Sequence, residues 1–91
     1  MKKSSAGTLE SGDIYIEIAP VATSGISIKL DSIVAHQFGK KIKSVISSTL
    51  KEMGVDGVQV VATDKGALDC TIKARVQAAV LRGDDKSCFK W

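Results

Sequence analysis

The chain has 91 residues, 44% of them hydrophobic and 25% charged, which suits one soluble globular domain and excludes two independent cores or a wholly disordered polymer. A formal net charge of +3 and an aromatic content of 4% fall short of a nucleic-acid surface built on a dense basic stripe with stacking rings. No apolar run reaches membrane-spanning length, and Lys2 and Lys3 are followed by small polar residues rather than the apolar stretch of a signal peptide.

In chain order, residues 1–12 are small and polar and read as a flexible N-terminal arm. In "DIYIEIAP", Ile14, Ile16 and Ile18 alternate with Tyr15 and Glu17, the period of a half-buried strand, and Pro20 ends it. "ISIKL" repeats the alternation, with Ile26, Ile28 and Leu30 inward. The short Gly-containing loop between the two runs predicts an antiparallel hairpin. From Asp31 the period lengthens: Val34, Phe38, Ile42, Val45, Ile46, Thr49, Leu50 and Met53 draw one helical stripe. Asp31 or Ser32 is the expected N-cap and Gly54 the C-cap. Gly39, inside the helix, implies a kink or a close backbone neighbour. Val58, Val60 and Ala62 mark a third strand, closed by the turn residues Asp64-Lys65-Gly66.

Beyond that turn two periods compete. Leu68, Cys70, Ile72 and Ala74 alternate as a strand would, whereas Leu68, Ile72, Val76 and Val80 fit a helix. The preceding turn favours a strand over 68–74 and then a short helix to Gly83. The expected fold is thus an α+β two-layer sandwich, an antiparallel-rich small sheet in the order β-β-α-β-(β)-α, covered by one long helix and a shorter C-terminal one. Residues 13–83 form the single domain, and 84–91, with Phe89 and Trp91, form a tail.

Catalytic chemistry is sparse. His36 is the only histidine and has no Cys, Asp or Glu at metal-ligand spacing, so no metal site is expected. Cys70 and Cys88 form no C-x-x-C pair and are read as free thiols of a reduced, cytoplasmic protein, with Cys70 packed in the core. Lys40, Lys41 and Lys43 lie on the polar side of the long helix, a solvated face or a docking surface for an acidic partner. Ser11 lacks the flanking glycines of a nucleophile elbow and a paired base. As a bare residue it reads as part of a loop, yet an exposed serine beside Gly12 is also a normal acceptor for a phosphodiester.

The segment "GTLESGD-x-x-x-x-IAP", then "QFG", then "DKGALDC", resembles the acyl carrier (gamma) subunits of bacterial citrate lyases from about Gly7 to about Arg82, and more distantly the acyl carrier subunit of malonate decarboxylase. The resemblance implies a non-catalytic carrier. Ser11 would hold a covalent 2'-(5''-phosphoribosyl)-3'-dephospho-coenzyme A arm whose thiol carries acetyl and citryl groups between the alpha (transferase) and beta (lyase) subunits. It also implies a prosthetic-group transferase, for which Glu10, Gly12 and Asp13 are recognition candidates, and it brings in neither nucleic acid nor membrane. Two other readings stand beside it: a small α+β module binding RNA or another anion through Lys40, Lys41 and Lys43, and an enzyme using Ser11 as nucleophile.

Overall fold

The computed structural model describes residues 2–32 and 35–83, with the side chains of residues 35 and 36 left aside. The expectations for Val34, Cys88, Phe89, Trp91 and the 84–91 tail lie outside the described residues, as does the side chain of His36. Four strands and two helices follow in the order β1 (Ser4–Ala6), β2 (Ile14–Pro20), β3 (Ile26–Ser32), α1 (Ala35–Glu52), β4 (Val58–Asp64) and α2 (Asp69–Gly83). They build the expected α+β sandwich: a mixed sheet in the order β1-β2-β4-β3 with both helices on one face.

The predicted hairpin does not form. β4 lies between β2 and β3, antiparallel to the first and parallel to the second, with Ile16 opposite Ala62 and Ile28 opposite Val60. Parallel neighbours need a long crossover, and the 18 residues of α1 supply it between β3 and β4. Burial explains the order. "VQVVATD" hides Val58, Val60, Ala62 and Asp64 and so suits the centre, whereas the inward residues of β3 are only half-buried and suit an edge. The loop after β2 crosses the start of β4 and is tied there by Val21 N–H to Gly57 O at 2.8 Å and Gly25 N–H to Asp56 Oδ1 at 2.9 Å.

The expected strand over 68–74 is helix instead. Ile72, Val76, Ala79, Val80 and Gly83 of α2 are buried at helical spacing, while Leu68 and Cys70, which a strand would turn inward, are exposed. The longer of the two competing periods buries more apolar surface and prevails. Cys70 is therefore a surface thiol, not a core residue.

The loose leader is also corrected for part of its length. Ser4–Ala6 pair with β2, Ser4 Oγ donates to Ala79 O at 2.6 Å, and Ala6 is only 2% exposed. Asp31 and Ser32 do not cap α1, because both belong to β3, where the Ser32 hydroxyl donates to Asp64 Oδ2 at 2.7 Å. The C-cap is as expected. Gly54 takes φ +72°, and the bonds Gly54 N–H to Lys51 O and Val55 N–H to Leu50 O close the last turn of α1.

The core sits between sheet and helices. Ile14, Ile16, Ile18, Val58, Val60 and Ala62 meet Ile42, Ile46 and Leu50 of α1 and the buried stripe of α2. Phe38 departs from its predicted place in the α1 stripe and is 50% exposed, since what faces it is the β4–α2 connection rather than the sheet. No helix among the described residues is long and apolar enough to cross a membrane.

Candidate functional site

Gly7 opens the segment that presents Ser11. Its φ is +98°, and a Cβ there would collide with the carbonyl oxygen of Ile14, so residues 7–13 can fold back over the start of β2 only with glycine at this position. The chain then turns at Glu10-Ser11-Gly12-Asp13, closed by Asp13 N–H to Glu10 O at 3.1 Å. Of the two central residues only Gly12 has positive φ (+83°), the signature of a type II turn. Ser11 occupies its first central position and is exposed. Among the described residues its hydroxyl has no hydrogen-bond partner.

The turn is pinned through the backbone of Gly12 and Asp13. Gly12 N–H donates to Lys65 O at 2.7 Å, and Lys65 N–H donates to Asp13 O at 2.9 Å, which ties the segment to the end of β4. The Asp13 carboxylate collects four donors: Thr8 Oγ1 (2.7 Å), Ile14 N (2.7 Å), and Arg75 Nε and Nη2 at 3.0 and 2.8 Å. The last two are the fork of a guanidinium on α2 gripping both carboxylate oxygens. Arg75, and next Thr8, hold the Asp13 carboxyl down at about 2, while the Asp13 carboxylate raises the Arg75 guanidinium. Thr8 Oγ1 in turn accepts from Glu10 N at 3.2 Å.

The sequence candidates thus have distinct places. Glu10, Ser11 and Gly12 are exposed together at the tip. Asp13 is turned inward, its side chain 13% exposed, and acts on Ser11 through the turn. Lys40, Lys41 and Lys43 are exposed on α1; Lys41 Nζ lies 3.4 Å from Asp69 Oδ2. Sequence reasoning missed Arg75, because its partner is 62 residues away and the 68–74 segment was read as a strand. It also missed Leu9, 61% exposed beside the tip, and a cleft of about 560 Å³ between the start of α1 and the β4–α2 connection. Leu68 is exposed because α2 begins only at Asp69, which neither competing period foretold.

The tip suits a phosphodiester-linked group. The Ser11 hydroxyl is exposed and, among the described residues, unengaged, and the carboxylate two residues on is paired with a cation, so a phosphate added there would meet no bare Asp13.

Residues 1–83 match the family described as acyl carrier protein, malonate decarboxylase delta subunit (MdcD). A citrate lyase acyl carrier protein of Lacticaseibacillus casei is 58% identical over 86 residues, covering 94% of this chain and 84% of its own. Those of Streptococcus uberis and Klebsiella pneumoniae are 54% and 49% identical, spanning 100% and 94% of this chain and 89% of each relative. The chain belongs to the citrate lyase acyl carrier protein family. In this acyl carrier the exposed serine stands on a mixed α+β sandwich, at a turn anchored to a central strand.

Proposed function

We propose that this chain is the acyl carrier subunit of a citrate lyase and that Ser11 bears the 2'-(5''-phosphoribosyl)-3'-dephospho-coenzyme A arm through a phosphodiester. The observation that carries the reading is the Ser11 hydroxyl, exposed and, among the described residues, without a partner at the "ESGD" turn in a chain related over most of its length to citrate lyase acyl carriers. When bound, the arm supplies a thiol that carries acetyl and citryl groups as thioesters between an alpha transferase and a beta lyase subunit. A tethered group meets both sites at an effective concentration on the order of millimolar without dissociating.

The chain's own residues do the anchoring. Ser11 is the attachment point. Gly12 supplies the positive φ that the turn requires, and Asp13 with Arg75 holds the turn in place. Glu10 and Gly12, exposed beside the hydroxyl, are what an attaching transferase can read, with Asp13 setting the angle at which they are offered. Lys40, Lys41 and Lys43 give the partner subunits a cationic stretch of helix to dock on. The chemistry is left to those subunits, in the cytoplasm, and the carrier remains non-catalytic.

Intact-mass measurement of the chain purified from an active lyase tests the assignment. The native chain should carry a single adduct of the arm's mass, and Ser11→Ala should lack it while keeping its fold. A native chain of unmodified mass, or an adduct that survives the substitution, overturns the proposal.

A further inference from the structure

Phe38, Lys41 and Ile42 of α1 line the cleft on one side and Leu68, Asp69 and Cys70 on the other. Its volume of about 560 Å³ falls in the range of sites that take small molecules, roughly 300–1,000 Å³. One exposed apolar side chain is ordinary on any surface. Here Phe38, 50% exposed, and Leu68, 71% exposed, come from separate elements and line the same hollow.

Gly66, at the edge of this cleft, follows Lys65, whose carbonyl accepts from Gly12. Standard backbone geometry across that bond puts the Ser11 and Gly66 Cα atoms within about 8 Å of each other. A group attached to Ser11 therefore starts within reach of the cleft. We propose that the cleft seats the adenosine portion of the Ser11-linked arm, fixing its near end to the protein and leaving its thiol end free to swing. The inference rests on the carrier reading above.

The chemistry of the arm fits this division. By its constitution the adenosine is joined to the serine phosphate through one further ribose, so the purine is the apolar, flat part nearest the tether and the thiol is the part farthest away. Phe38 offers a ring on which a purine can stack, with Ile42 and Leu68 as apolar walls. Lys41 adds a cation at the rim for phosphate oxygens. Its pair with Asp69 at 3.4 Å is solvent-exposed on both sides and so holds it weakly. Because the arm is tethered, even a contact too weak to hold free nucleotide would be occupied.

Cys70 lines the cleft with an exposed thiol and reports on its occupancy. The full-length chain in its arm-bearing form and the Ser11→Ala chain are alkylated with iodoacetamide, and the rate is read by mass on the peptide containing Cys70. The loaded chain should react several-fold more slowly there, and Phe38→Ala in the loaded chain should return the rate to that of Ser11→Ala. Amide resonances of Leu68 and Ile42 should shift between loaded and Ser11→Ala chains. If intact mass shows the adduct on Ser11 but Cys70 reacts equally in both chains and the resonances coincide, the inference is overturned and the carrier reading stands, leaving the cleft as a contact for a partner subunit. If Ser11 carries no adduct, both fall.

Discussion

At the scale of single residues, the turn that presents Ser11 depends on the carboxylate of Asp13. Asp13 gathers donors from Thr8, Ile14 and Arg75, and its carboxyl is held at about 2 against an ordinary 3.8. The unfolded chain therefore takes up this proton at a higher pH than the folded one. Asp13 stabilises the fold fully above about pH 4, and that contribution is lost as pH falls from about 4 toward about 2. Asp13→Asn leaves a neutral acceptor facing a guanidinium and should cost roughly 1–2 kcal/mol at neutral pH, the scale of a charge-assisted bond on a partly exposed arginine. It should also flatten the fall in stability between pH 4 and pH 2. Urea unfolding at a series of pH values measures both effects. An unchanged acid slope in the variant would mean that the Asp13–Arg75 pair contributes nothing to the fold.

At the scale of elements, the strands with clear alternation and the long amphipathic helix were legible because a single period governs each. "IYIEI" and "VQVVA" can bury one set of side chains only as strands. What escaped was decided by neighbours distant in sequence. α2 was ambiguous because Leu68 and Ile72 serve both periods, and only the buried Val76, Ala79 and Val80 settle the matter. β1 was invisible because Ser4-Ser5-Ala6 carries no pattern; its place is given by β2 on one side and α2 on the other. Lys2 N–H donates to Gly83 O at 2.7 Å, Ser4 Oγ to Ala79 O, and Arg82 Nη1 to Ser5 O at 3.0 Å. Removing residues 1–6 should thus lower stability by roughly 1–3 kcal/mol, from lost hydrogen bonds and the uncovered Ala6 site. Thermal melting of the truncated chain measures this, and a melting temperature equal to that of the full chain would restore residues 1–6 to a loose leader.

At the scale of the whole molecule, the order β1-β2-β4-β3 joins the Ser11 turn to β2 and β4, the two strands with a neighbour on each side. The start of β2 and the end of β4 meet at the pair Ile14–Asp64, and the turn is the continuation of that pairing through Asp13, Gly12 and Lys65. The sequence suggested a serine at the end of a flexible arm. The fold offers one on a turn continuous with the inner strands β2 and β4, so on the proposed function any large excursion of a group carried on Ser11 would have to come from that group and not from the protein backbone beneath it. Amide hydrogen exchange separates these two pictures. Gly12 and Lys65 N–H groups, each bonded across the turn, should exchange markedly more slowly than those of residues 22–24, while Val60 and Ala62 in β4 should be among the slowest, opening only with the whole domain. A flexible hinge requires the Gly12–Lys65 bonds to open as often as a surface loop does. Equal exchange at Gly12 and at residues 22–24 would establish that hinge and return the swinging motion to the chain.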